Sequence, residues 1–183
     1  MVPLSMLCLP ILLSAVFIFI AANVLWMMLP FWHRKDYERL PDEATVLGAL
    51  ASARSGQYAV PMMDWKNTTP EQRAAAQKGP MASLILRNPS AFSFPKTLIL
   101  YFVYLLVVCT VVAYLTGITL GPGTDYMRVF RVAGTAGILA FSFNSIADSI
   151  WYGKPWPVTF KTIIDGVIFG LLIAGTFGWL WPR

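Results

Sequence analysis

Four long apolar runs limit this chain more than any other feature. They extend over about Pro3 to Leu29, Lys96 to Leu120, Asp125 to Tyr152 and Pro157 to Leu180. A helix rises about 1.5 Å per residue, so each run can cross a hydrocarbon core of about 30 Å. The chain is 57% hydrophobic and only 13% charged, more apolar than a soluble domain of this length. Its charges fall mostly between the runs. The expected fold is therefore an all-α integral membrane protein with four transmembrane helices. A polar, partly helical insertion of about 60 residues separates helices 1 and 2. The corresponding division is a first transmembrane helix over 1–32, a cytoplasmic domain over 33–95, and helices 2–4 over 96–183.

Charge sets the orientation. The net charge of +5 could suggest a nucleic-acid partner. The basic residues, however, cluster beside a membrane segment, which is the positive-inside signal, so no nucleic acid is expected. Arg34, Lys35 and Arg39 follow the first run closely, and Trp26 and Trp32 bracket its inner end as interfacial indoles do. The basic residues follow the run instead of preceding it, and the run is too long for a signal-peptide core. It reads as an uncleaved anchor, bent by Pro10 near its outer end. Both termini then lie outside, and the insertion and the Lys154 turn lie inside. Arg128 and Arg131 sit near the outer end of the third run, where they reach headgroups.

Two helices are legible in the insertion. One starts at Pro41, with Asp42 and Glu43 in its first turn, and runs through Val46, Leu47 and Leu50 to Arg54, with Gly56 at its end. The other has Thr69 as N-cap, Pro70 at the first position and Gln72 completing a capping box, and ends at Lys78-Gly79-Pro80. Between them Tyr58 to Trp65 reads as an irregular apolar patch. Met81 to Leu86 is too short to span and reads either as a strand or as a segment on the membrane surface. At the outer turn Thr124 is placed to cap the third helix, with Asp125 in its first turn.

The stretch from Asn144 to Asp165 holds the main polar group. Gly153, Pro155 and Pro157 punctuate it, which predicts a tight turn between two spans. Asn144 and Asp165 lie equally far from a centre between Lys154 and Pro155, and so do Asp148 and Lys161. An antiparallel hairpin would bring each pair to one level. Charged groups in a bilayer find partners or face the interior. These four residues therefore form either a hydrogen-bonded clasp locking the hairpin or a ligand pocket or proton relay. Small residues support close packing: Gly166, Gly170 and Ala174 on the fourth helix face Ala133 and Gly137 on the third.

Few other sites are available. His33, among Trp32, Arg34 and Lys35, reads as interfacial, with a pigment or metal shared with another subunit as the functional alternative. Cys8 and Cys109 read as small buried hydrophobes at different depths. One His and two Cys cannot build a tetrahedral zinc site, so no metal and no cofactor is expected, although bound lipid is. Asn67-Thr68-Thr69 matches a glycosylation sequon but falls on the cytoplasmic side. There is no phosphate-cradling Gly loop, GxSxG or HExxH.

Leu9-Pro10-Ile11-Leu12-Leu13-Ser14-Ala15, Leu40-Pro41-Asp42-Glu43, Ile150-Trp151-Tyr152-Gly153-Lys154-Pro155-Trp156, Asp165-Gly166 and the closing Gly175-Thr176-Phe177-Gly178-Trp179-Leu180-Trp181-Pro182-Arg183 carry a likeness. In them the chain resembles uncharacterised bacterial polytopic inner-membrane proteins. That resemblance implies the bacterial inner membrane and no particular activity. The function expected is non-catalytic, an accessory or scaffold subunit that self-assembles or joins a larger membrane complex. The alternative is a homo-oligomeric transporter or channel lined by Asn144 and Asp165. A lipid-acting enzyme using Asp148 and Asp165 as acid and base ranks below both.

Overall fold

The computed structural model describes residues 1–64 and 66–183, with only the backbone of Ala91. Trp65, the end of the expected apolar patch, lies outside the described residues. The chain is mostly helical and divides into two compact units, residues 1–38 with 95–183, and residues 39–94. Residues 33–38 thus belong with the apolar helices rather than with the insertion.

The first unit contains four helices long and apolar enough to cross a membrane: Leu4–Met28, Phe94–Thr119, Tyr126–Tyr152 and Trp156–Trp179. The first opens as a 3-10 turn over Leu4–Leu7, continues as helix α1 over Cys8–Asn23, and closes as a π turn over Val24–Met28. Pro10 stands in the first turn of α1, where its missing N–H costs nothing. Cys8 is exposed and only Cys109 is buried, because Cys8 falls at the outer edge of this turn.

In the second unit helix α2 covers Glu43–Leu50 and helix α3 Pro70–Lys78. Asp42 is the N-cap of α2, accepting from the Thr45 amide at 3.2 Å, so this helix starts two residues later than Pro41. The α3 capping box forms in full. The Thr69 hydroxyl accepts from the Gln72 amide, and the Gln72 side chain accepts from the Thr69 amide. The insertion is not wholly helical or irregular. Strands β1 (Gly56–Val60) and β2 (Ala82–Leu86) pair antiparallel, with Tyr58 opposite Leu84. Both strands are rich in β-branched, aromatic and large aliphatic residues, and neither run is long enough for a stable isolated helix.

Helix α4 (Phe94–Thr119) is the second long helix. The third is divided into α5 (Tyr126–Ser142) and α6 (Asn144–Tyr152), and α7 covers Trp156–Trp179. Asp125, not Thr124, caps α5, accepting from the Arg128 amide at 3.0 Å, while Thr124 bonds back to Gly121. Gly153, with φ of 69°, ends α6 in the left-handed conformation, which glycine adopts without a Cβ penalty. Pro157 then sits in the first turn of α7.

The chain ends meet at the other end of this unit. The Val2 amide donates to the Gly117 carbonyl, the Gly123 amide to Pro182, and the Trp181 indole to Gly121, all at 2.8–2.9 Å.

Helices α5 and α7 pack through small residues. Gly137 lies against Gly170 and Ile173, Gly134 against Ala174, and Gly166 against Phe141 and Ser142. Ala133 and Ala174 are fully buried. Without a hydrophobic drive between helices in lipid, this close van der Waals approach is what holds them.

The hairpin turns where expected, but other residues bond across it. Ser149 and Thr159, which mirror each other about Lys154, share a buried hydroxyl–hydroxyl bond of 2.5 Å. Ser142 donates to the Ile163 carbonyl at 3.2 Å. Asn144 is exposed and Asp148 is only half-buried. The buried residues of this face are Ser142, Ser145 and Ser149, each one position along from the expected set.

The Ser149–Thr159 bond yields a prediction. Ser149→Ala alone strands a buried hydroxyl and is expected to cost about 1–3 kcal/mol. Ser149→Ala with Thr159→Val removes both partners and is expected to be nearly neutral. Unfolding in detergent of both single variants and the pair would check this.

Candidate functional site

The site is a chain of buried polar side chains joining the segment after α1 to one face of α7. Lys161 and Asp165 are one helical turn apart on α7, so their side chains emerge on the same face. His33 and Asp36 are three apart in a short 3-10 turn (Arg34–Asp36) and face each other across it. The two pairs interlock. Asp165 Oδ2 lies 2.7 Å from His33 Nε2, and Asp36 Oδ2 lies 2.6 Å from His33 Nδ1. The Lys161 ammonium donates to the other oxygen of Asp36. The Trp32 indole N–H donates to Asp165 Oδ1 at 2.7 Å. Trp26, held by the π turn at the end of α1, stacks on the His33 ring at 3.8 Å and 12°.

These groups are out of water. The side chains of His33, Asp36 and Asp165 are 3%, 2% and 4% exposed, and that of Lys161 is 24% exposed. A neutral imidazole has one N–H, yet each ring nitrogen here faces a carboxyl oxygen. Both contacts are satisfied together when the ring carries both hydrogens, or when one carboxyl is protonated. With an imidazolium the cluster has two positive and two negative charges and is neutral as a whole. Burial alone would raise the Asp36 pKa. Hydrogen bonds from Lys161 and His33, with their charges, outweigh it and hold the carboxyl below its ordinary value.

That shift gives a pH dependence. A carboxyl with a lower pKa in the fold binds fewer protons folded than unfolded. Its contribution is present above the ordinary aspartate value and is lost as pH falls through the lower, folded one. The stability difference between the natural chain and Asp36→Asn is therefore expected to hold at neutral pH and to close below the usual carboxylate range. Unfolding midpoints of both proteins across that range would check the sign.

The four residues expected to pair by depth separate into two sets. Lys161 and Asp165 are in the site, each with a partner from the segment after α1. Asn144 and Asp148 are not, and neither side chain bonds to another among the described residues. Ser142, Ser145 and Ser149 take the buried face instead, and Trp32, His33 and Asp36 bond to the α7 residues. His33 is buried, with Trp26 stacked on its ring and Trp32 edge-on to it. Both ring nitrogens are engaged by carboxyls, and among the described residues no group of three His, Cys, Asp or Glu is arranged to hold a metal ion. Arg34, Lys35, Arg128 and Arg131 are exposed, and Arg39 pairs with Glu43 at 2.8 Å on the surface of the second unit.

Two features of the sequence could have located the site. His33 and Asp36 have the spacing of a local turn pair, and Lys161 and Asp165 have the spacing of one helix face with complementary charges. Nothing in periodicity links the two. No family model, curated protein or solved structure matches the chain.

Proposed function

We propose that this chain is a non-catalytic, multi-pass protein of the bacterial inner membrane, a small accessory or scaffold subunit that self-assembles or joins a larger complex. In this reading both termini are periplasmic and residues 33–95 cytoplasmic, as the basic residues Arg34, Lys35 and Arg39 favour. The observation that carries it is how the buried charges are used. Lys161, Asp36, His33 and Asp165 are bonded in one continuous chain, which suits a lock between spans better than a base or nucleophile awaiting substrate. Helix α4 supports a membrane setting: Ile99, Val103, Val107, Val111 and Ile118 are all exposed large hydrophobics along it, a surface that lipid or another span would cover. Membrane lipids, further copies and other membrane subunits are the partners this implies.

Purification from native membranes in gentle detergent, followed by mass measurement of the intact assembly, tests the role. Companions in fixed ratio, either copies of this chain or other subunits, are expected. A monomer without stoichiometric companions, or one that cleaves added phospholipid headgroups, would overturn the reading.

A further inference from the structure

Beside Asp165, between α1, α4, α5 and α7, lies a cavity of about 390 Å³, a size that suits a small ligand. Its walls are aromatic: Trp26, Tyr101, Tyr104, Phe141 and Phe169. Three of them form a continuous run, Tyr104 edge-on to Phe141 at 6.2 Å and Phe141 edge-on to Phe169 at 5.5 Å. Two of the polar groups on the wall, Asn23 and Asp165, offer acceptor oxygens. The Asn23 amide nitrogen donates to the Phe19 carbonyl at 2.7 Å, leaving its carbonyl oxygen without a partner among the described residues. Asp165 receives Trp32 and His33 on separate oxygens, and a carboxylate oxygen can accept more than one bond. The hydroxyls of Tyr101 and Tyr104 also have no partner among the described residues. No Lys or Arg lines the cavity, and the Lys161 ammonium one turn away is held by Asp36.

These features select a ligand class. An anionic headgroup would find a carboxyl and no free cation. A purely apolar chain would leave the Asn23 carbonyl and two tyrosine hydroxyls unsatisfied in a low-dielectric setting. A flat ring suits aromatic walls, where offset and edge contacts are favourable. O–H donors on that ring suit the acceptors. Trp26 and Met27, 50% and 61% exposed, stand at the rim, where an apolar tail can pass into lipid.

We propose that this cavity binds a neutral, tailed lipid of the hydroquinone class, its ring between the aromatic side chains and its hydroxyls donating to Asp165 and Asn23. This goes beyond the structural role of the buried charges and does not depend on it. The chain-wide probe is decylhydroquinone added to the detergent-solubilised protein, with bound ligand counted by native mass spectrometry. Decylhydroquinone dimethyl ether and didecanoyl phosphatidylglycerol serve as competing probes.

A saturable one-to-one adduct with decylhydroquinone is expected. The dimethyl ether, lacking both donors, is expected to bind about tenfold more weakly or worse. Asn23→Leu is expected to weaken the hydroquinone about three- to tenfold at unchanged thermal stability, and Tyr104→Phe provides a second variant that keeps the ring. Equal binding of the ether, preference for the phosphatidylglycerol, adducts that accumulate without saturation, no adduct, or undiminished binding by both variants would each overturn the proposal.

Discussion

Replacing His33 by leucine is expected to destabilise the folded chain by about 2–6 kcal/mol, since two buried carboxyl groups each lose a hydrogen-bond partner at about 1–3 kcal/mol apiece. The substitution removes the ring that both Asp36 and Asp165 bond to at 2.6–2.7 Å. Two carboxyl oxygens, on side chains no more than 4% exposed, are then left facing an apolar residue. Lys161 still holds one oxygen of Asp36 and Trp32 still donates to Asp165, so the fold is weakened without a complete loss of the lock. The Asp165→Leu variant reaches the same broken state from the other side, stranding the Trp32 indole and His33 Nε2. Combining it with His33→Leu is therefore expected to cost less than the two losses added together, with a coupling of about 0.5–3 kcal/mol. Denaturant unfolding in micelles, done as a double-mutant cycle, measures this. Additive losses would mean that the two residues do not interact.

The second large effect is expected at the α5–α7 contact. A methyl group added at Gly166 would fall 2.2 Å from Ser142 Oγ and 2.8 Å from the Phe141 carbonyl carbon. One added at Gly170 would fall 2.7 Å from the Ile138 backbone nitrogen. Backbone atoms cannot rotate away as a side-chain tip can, so the helices must separate. Gly166→Ala and Gly170→Ala are each expected to cost about 1–3 kcal/mol through overpacking. Gly175 lies on the same helix, but its added methyl would meet nothing closer than the Tyr126 hydroxyl at 3.9 Å. Gly175→Ala is thus the control and is expected to be neutral or slightly stabilising, since alanine is the better helix former. Thermal unfolding of the three variants in one detergent would separate close packing from glycine content.

These two regions differ in how far they could be read from residues alone. The four long helices follow from hydropathy, because a run of about 20 apolar residues has few alternatives. The small-residue faces follow from spacing, since Gly166, Gly170 and Ala174 repeat once per turn. The turn at Gly153 is equally plain, and so is the α3 capping box at Thr69 and Gln72. Chemistry that is local in sequence was legible.

The hairpin's polar contacts were legible only in part. Ser149 and Thr159 bond across the turn, but Asn144 does not bond to Asp165 nor Asp148 to Lys161, whose partners are His33 and Asp36. The inward face carries Ser142, Ser145 and Ser149 rather than Phe141, Asn144 and Asp148, and hydropathy does not report a difference of one position. Strand β1 was read as irregular structure, whereas β2 matches one of the two readings of Met81 to Leu86. Each is five residues long, and short apolar runs do not distinguish strand from irregular structure.

The burial of His33 was the least legible feature. Basic and aromatic neighbours are what an interfacial residue has, and Trp26 and Trp32 fit the same picture. What buries His33 is a tertiary event. The π turn at Val24–Met28 and the 3-10 turn at Arg34–Asp36 bring the segment back onto α7, where Lys161 and Asp165 supply the matching charges. The partner of Asp165 lies more than a hundred residues away in the sequence, and no periodic signal spans that gap.

The central claim is that one imidazole bridges Asp36 and Asp165 inside the protein, and the sequence makes it directly measurable. His33 is the only histidine, so histidine labelled with nitrogen-15 gives a single ring to observe by NMR. The expected result is two hydrogen-bonded ring nitrogens, with Asp165→Asn shifting chiefly Nε2 and Asp36→Asn chiefly Nδ1. A freely exchanging ring whose two nitrogen signals are unmoved by either substitution would contradict the bridge.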